Sequence, residues 1–286
     1  MTTTEFDRDS RRVIHVAHSP DSDDAFMFYG LASGAIDTGE LAFEHELQGI
    51  QELNERAMRG ELEVTAVSIH AYAYLTDRYI LLPHGASMGE GYGPRLVSRS
   101  PMDRAEIHDA TIAVPGELTS AFLALKLWEP QARTLVMPFD EILEAVRDGE
   151  VDVGLIIHEG QLTYADAGLV LLEDLGRWWK DETGLPLPLG GNVIRRDLGP
   201  DLIPRVSDYL RRSIAYSLDH REEAMDYAMG FARGLDRGTA DDFVGMYVNQ
   251  RTLDYGPDGR QAVRLFLERG IDAGLLPGPV PVEFAD

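Results

Sequence analysis

The residue of this sequence best placed for acid–base chemistry is His158. It follows an apolar run, Val153-Gly154-Leu155-Ile156-Ile157, and precedes Glu159-Gly160. That run is apolar on both faces and comes after the tight-turn pair Asp148-Gly149, a pattern that fits a buried strand of a parallel sheet. Open α/β sheets bind ligands just outside the carboxyl ends of their strands. An imidazole there, with an unperturbed pKa of about 6.5, can take up a proton near neutrality. Taken alone, the pattern fits equally a structural histidine bonded to a backbone carbonyl. Glu159 is a second base at the same turn.

Three further segments supply oxygens and N–H groups for such a base to work beside. Ser19-Pro20-Asp21 follows a strand pattern at Val13–Ala17, Ala66-Val67-Ser68 ends another, and Thr119-Ser120 opens the helical run AFLALKLW. A helix start carries unpaired N–H groups and the positive end of the dipole, which makes Thr119 and Ser120 a ready site for a carboxylate. Plain helix capping is the competing role. Asp21-Ser22-Asp23-Asp24 open a helix of their own, where acidic and hydroxyl side chains cap free N–H groups. With His18 these aspartates could hold a metal, but the capped helix start is the expected use.

Other chemistries lack their residues. His158-Glu159-Gly160-Gln161-Leu162 has no second histidine at the spacing of a zinc helix, and the other histidines follow no ligand spacing. Neither a Gly-x-Ser-x-Gly elbow nor a dinucleotide fingerprint occurs. Gly89-Glu90-Gly91-Tyr92-Gly93 lacks the ending of a phosphate loop and reads as a turn or hinge between two strands. No metal site is expected.

The elements that must position these segments fall into two α/β sets. Strand patterns at Val13–Ala17, Leu41–Leu47 and Val64–Ser68 alternate with helical ones at Ala25–Gly34, Ile50–Arg59 and Ile69–Leu75. A second set runs from Thr111–Val114 through Leu135–Met137, the His158 strand and Leu169–Leu172 to a helix at Leu175–Glu182. Beyond Asp201 the pattern is helical, with a loose tail from Pro277. Such alternation predicts parallel sheets. Crossings near residue 95 and residues 185–192 predict a two-lobed α/β fold with an interlobe cleft. Lobe one is expected over residues 13–97 plus 193–286 and lobe two over 98–192. Proteins that hinge shut around a small ligand are built this way.

Composition narrows the partners. A chain of 286 residues with 44% hydrophobic content can bury a full core. Its net charge of -23 argues against nucleic acid and anionic membranes. MTTTEFDRDSRR has no apolar segment typical of a signal peptide, and no run approaches the ~18 apolar residues of a membrane span. A cytoplasmic location is expected. The absence of cysteine removes disulfides, a thiol nucleophile and Cys-ligated metal. A small molecule is the expected partner, and a homodimer is left open.

These residues resemble a known family. Ser19-Pro20 with Asp24-Ala25-Phe26-Met27-Phe28-Tyr29 is similar to the SPCPND-x-F-x-FY opening of the 1,4-dihydroxy-6-naphthoate synthases of the futalosine route to menaquinone. Gly154-Leu155-Ile156-Ile157-His158-Glu159 resembles that family's G-L-I-I-H-E segment. Trp178-Trp179, Thr183 to Gly190 and Arg211 to Tyr216 follow in the family's order. The resemblance covers roughly residues 14–270 and implies the fold of the type II periplasmic solute-binding proteins, recruited as an enzyme. It implies His158 as catalytic base, and Ser19, Asp24, Ala66, Val67, Ser68, Thr119 and Ser120 as substrate-contacting positions. Two departures stand out: the family's Cys-Pro-Asn is Asp21-Ser22-Asp23 here, and the lysine usual two residues before the cleft serine is Ala66.

The implied reaction opens cyclic dehypoxanthinylfutalosine and releases 1,4-dihydroxy-6-naphthoate and a sugar-derived fragment, a carbon–carbon lyase step for which the resemblance implies no cofactor. Two alternatives stand beside it: a non-catalytic solute-binding protein, and a paralogue acting on another aromatic or enol-ether acid. Arg95, Arg99 and Arg195 are candidates for holding a substrate carboxylate.

Overall fold

The computed structural model describes residues 11–286; most of the polar N-terminal stretch discussed above lies outside them. Strands β1 (Arg12–His18), β2 (Leu41–Leu47), β3 (Val64–Ser68), β4 (Tyr79–Leu81) and β5 (Ser87–Gly89) come first. They are followed by β6 (Arg95–Ser98), β7 (Thr111–Val114), β8 (Arg133–Val136), β9 (Val153–Ile156) and β10 (Val170–Asp174), and then by β11 (Leu187–Arg195). One sheet has the order β2-β1-β3-β11-β4, with β5 also on β11; the other has the order β10-β6-β9-β7-β8. The result is a two-lobed α/β molecule with one sheet at the heart of each lobe.

Both sheets are mixed, where the alternation predicted parallel ones. β11 runs antiparallel to β3, β4 and β5, and β6 antiparallel to β9 and β10. These reversed strands lie at the crossings, where the chain enters each sheet from the opposite end. β6 starts inside the span expected for lobe one yet belongs to the second sheet. β11 starts inside the span expected for lobe two yet belongs to the first. The glycine-rich turn accordingly joins no hairpin: β5 pairs with β11 and β6 with β9 and β10. It needs glycine because the crossing packs backbone on backbone: a Cβ on Gly89 would sit 2.0 Å from the Tyr92 carbonyl oxygen, and one on Gly93 would meet the Gly176 backbone at 3.0 Å.

The helix Ser22–Ala32 is buried on most sides, Phe26, Met27 and Phe28 included, because it packs under the helices Ile203–Asp219, Arg221–Ala228 and Arg237–Tyr247. Burying each such side chain is worth about 1.5–3 kcal/mol. Ser213 locks this packing: its hydroxyl donates to Met27 O and accepts from Leu31 N–H, each at 3.1 Å. Gly30 lets the helices approach, since a Cβ there would meet Ser213 Cα at 2.9 Å. The C-terminal tail, expected to be loose, pairs with β4 instead. Leu81 N–H donates to Glu283 O and Ala285 N–H to Leu81 O. No helix among the described residues is long and apolar enough to cross a membrane.

Candidate active site

A cavity with about 780 Å³ of free space, part of it continuous with solvent, lies between the two sheets. It is lined by Ser19 and Asp24, by Ala66, Val67 and Ser68, by Thr119 and Ser120, and by His158. Every segment singled out in the sequence therefore meets at one place. The strand ends do this in the way open α/β sheets allow.

Hydrogen bonds hold each segment. Ser68 ends β3, and the fully buried Asn54 pins it, accepting from Ser68 N–H at 2.9 Å and donating to Ser68 Oγ at 3.1 Å. Thr119 is the N-cap of the helix Ser120–Trp128; its hydroxyl accepts from Phe122 N–H at 3.2 Å and donates to Gly116 O at 2.8 Å. Ser120 Oγ donates to Leu189 O at 2.5 Å and accepts from His70 N–H at 3.1 Å. Both hydroxyls are thus engaged by the fold. What this helix start can offer an anion is the backbone N–H groups of its first turn.

The other helix start departs from its expected use. Asp21 occupies the N-cap of the helix Ser22–Ala32, yet its carboxylate makes no capping bond. Asp24 instead reaches back to accept from Ser19 N–H at 2.8 Å. Asp21 is fully buried, with Oδ2 3.0 Å from His158 Nδ1 and Oδ1 2.8 Å from Arg233 Nη2. Both are ion-pair distances, although neither contact is aligned as a hydrogen bond. His158 and Arg233 are the only non-glycine residues with positive φ among the described residues, at 56° and 48°. A left-handed backbone costs an L-residue roughly 1–2 kcal/mol, so the surroundings must hold it. Phe139 lies against both partners. Its ring centroid is 4.5 Å from that of His158 and 4.6 Å from Arg233 Cζ.

Charge follows from this geometry. Burial alone would push His158 down, but the nearby carboxyls, Asp21 first and then Glu159 and Asp23, together outweigh it and lift it to about 9. Burial would raise Asp21, and the His158 and Arg233 charges hold it below its ordinary value. Asp23 is pushed well up by burial and by Asp24 and Asp21, and Asp24 reaches about 7 by burial and Asp21. Glu159 is raised as well, by burial and then by Asp21. The site therefore centres on Asp21, a buried anion held between His158 and Arg233, while burial and the Asp21 charge shift the neighbouring carboxyls towards their neutral forms. His158 Nε2 is buried and has no protein partner.

Several residues that the sequence put forward stand elsewhere. Arg95 pairs with Asp174 at 3.1 Å, Arg99 donates to Val146 O and Val151 O, and Arg195 pairs with Asp197 at 2.6 Å. None of the three lines the cavity, where His158 is the only lining residue able to carry positive charge. His18 Nδ1 faces Ser19 O and its Nε2 faces His45 Nδ1, at 2.9 and 3.2 Å, and not the aspartates.

Sequence reasoning missed Asn54, Arg233, Gln161 and Tyr247. The Gln161 amide is oriented here by its hydrogen-bond network. Its nitrogen donates to Gly93 O at 2.6 Å and to the Tyr247 hydroxyl at 2.8 Å, and its oxygen can accept from His158 N–H at 3.2 Å. A polar Gln161 immediately after the His-Glu-Gly turn was the one available signal.

Comparison with known proteins bears on this site. A family model described as menaquinone biosynthesis matches residues 14–272. The chain is 41% identical over 270 residues to a 1,4-dihydroxy-6-naphthoate synthase of Thermus thermophilus, covering 94% of this chain and 98% of the relative. It is 39% identical over 283 residues to the synthase of the same name from Streptomyces coelicolor, covering 96% and 99%. A crystal structure of an Archaeoglobus fulgidus protein superposes with a TM-score of 0.89 at 46% identity, over 92% of this chain and 98% of the other. The alkanesulfonate-binding protein of Xanthomonas axonopodis pv. citri shares the fold, with a TM-score of 0.68 at 13% identity over 96% and 97% of the two chains.

Proposed function

Since this chain belongs to the menaquinone-biosynthesis family and is an enzyme of that pathway, we propose that it converts cyclic dehypoxanthinylfutalosine to 1,4-dihydroxy-6-naphthoate, with His158 as general base. The observation that carries the reading is His158 Nε2, an imidazole nitrogen without a protein partner on a residue lining the cavity. His158 takes a proton from the sugar-derived ring of the substrate. The electron pair released forms a new double bond in the sugar-derived fragment as the carbon–carbon bond breaks; the pair of that bond passes to the naphthoate ring, which becomes aromatic as the fragment leaves. General bases contribute typically about 10²–10⁴-fold.

The other segments bind. N–H groups at the Thr119-Ser120 helix start hold a substrate carboxylate or oxygen anion. Ser19, Asp24, Ala66, Val67 and Ser68 contact the remainder. The two lobes hinge at the crossings and close over the substrate, which excludes water from the reacting bond. The enzyme works in the cytoplasm on a small molecule.

A second reading has its own support. Ala66 takes the place of a lysine in the resembled motif and Asp21-Ser22-Asp23 the place of Cys-Pro-Asn, which leaves His158 as the one cavity-lining residue able to carry positive charge. That favours a paralogue for a different aromatic or enol-ether acid. A purely solute-binding role rests on the fold alone, which does not decide function. The deciding experiment is direct: incubate the purified protein with cyclic dehypoxanthinylfutalosine and follow naphthoate absorbance beside a synthase known to be active. Product formation supports the first reading. Silence under conditions where the control turns over rejects it.

A further inference from the structure

We infer that Asp21 is a positioning residue for His158, holding the Nδ1 side of the ring so that Nε2 is the nitrogen presented to the ligand, and that Arg233 sets how strongly Asp21 does so. The inference rests on the reading of His158 as the base. Four observations lead to it. Asp21 sits at an N-cap position and is not used as a cap. Its two oxygens lie 3.0 and 2.8 Å from His158 and Arg233, which come from opposite sides of the cleft. Those two partners are the only non-glycine residues with left-handed backbones among the described residues. Nε2 is left without a protein partner. Ordinary capping explains none of the four.

Position 21 is also where the chain departs from the Cys-Pro-Asn of the motif it resembles. A carboxylate 3.0 Å from Nδ1 favours the proton on that nitrogen, which leaves the lone pair on Nε2, and its charge stabilises the imidazolium that forms. The proton count is simple. The proton from the sugar-derived ring goes to Nε2, the electron pair of the bond it leaves stays with the substrate, and Asp21 remains an anion throughout. Arg233 competes with the imidazolium for the same carboxylate, so it limits the effect. The charged and titratable groups facing the ring are Asp21, Asp23 and Asp24 from the helix start and Glu159 from its own turn, with Arg233 beyond Asp21.

The test uses two substitutions that should act in opposite directions. The His158 ring is titrated by NMR in the full-length wild type, in Asp21→Asn and in Arg233→Gln, and kcat/KM is measured against pH for each. In Asp21→Asn the His158 midpoint should fall by at least about one pH unit, because the opposite charge is gone. In Arg233→Gln it should rise, because Asp21 is then left to the imidazolium alone. The acid limb of kcat/KM should move with the midpoint in both. A folded Asp21→Asn whose His158 midpoint stays put overturns the inference, whatever the reaction proves to be. Should Asp21→Asn fail to fold, Arg233→Gln decides: an unchanged or lowered midpoint also overturns it. If the midpoints move as stated while the rate profiles stay still, the reading of His158 as base falls. Asp21 then stands confirmed only as the group that sets the ring's charge.

Discussion

At the scale of single residues, the site turns on whether His158 carries a proton. With its pKa lifted to about 9 by the nearby carboxyls, Asp21 first, the imidazole is protonated below that pH and cannot act as a base. Two effects then oppose each other. Fewer molecules hold the free base at neutrality, and each free base is a stronger one. The expected kcat/KM profile of the free enzyme climbs through neutral pH and levels only near 9, falling about tenfold per unit on the acid side. A limb near 6.5 would show that Asp21 is not acting on the base. His158→Asn separates base from scaffold. It should fold, bind the naphthoate and lose turnover by about 10²-fold or more. Near-normal turnover would place the base elsewhere, with Glu159 next to be tested; loss of folding would mark His158 as structural. The histidine itself was legible because it ends a strand apolar on both faces. Its partners were not. Asp21 sits among residues that any helix start uses, and Arg233 stands far along the chain, so no local spacing joins them.

At the scale of elements, the helix Ser120–Trp128 tests what a helix start does here. Its two hydroxyls bond to Gly116 O, Phe122 N–H, Leu189 O and His70 N–H. Changing Thr119 and Ser120 together to alanine should therefore act first on stability. The lost cap costs about 1 kcal/mol, and the Leu189–His70 bridge a similar amount. Affinity for the naphthoate should change little, because the backbone N–H groups remain. Thermal melts and ligand titration of the same double variant check both halves. A large affinity loss with an unchanged melt would return the hydroxyls to the ligand. That Thr119-Ser120 opens a helix was readable from the hydroxyl pair before AFLALKLW. The direction in which the hydroxyls point was not, because Leu189 belongs to a strand of the other sheet. Gly89 to Gly93 was readable as a turn or hinge near the crossing, but not the sheets of the strands on either side of it. Only the pairing of β5 with β11 and of β6 with β9 shows that the turn passes between sheets.

At the scale of the whole molecule, the alternation of strands and helices carried the two-lobed architecture into plain view, while the reversed strands at the crossings escaped it. Local pattern reports burial and period; it does not report which sheet a strand joins when the chain leaves and returns. What the fold adds is a set of contacts spanning the cleft. Asp21 meets His158, Arg233 lies on Phe139, and Tyr247 meets Gln161. Tyr247 ends the helix Arg237–Tyr247, which packs on the helix Ser22–Ala32, whereas Gln161 follows the His158 turn. Their bond therefore favours the closed arrangement without touching the reacting atoms in the way His158 does. A net hydrogen bond is worth about 1 kcal/mol, close to a fivefold shift between open and closed forms. Tyr247→Phe keeps the ring and removes the bond. Small-angle scattering of the ligand-free variant should show a larger radius of gyration than the wild type, and saturation with the naphthoate should bring the two together. The affinity should weaken by up to about fivefold, the ratio of closed to open molecules having fallen by that factor. If scattering and affinity both match the wild type, the Tyr247–Gln161 contact is packing alone, and closure is carried by the Asp21 cluster.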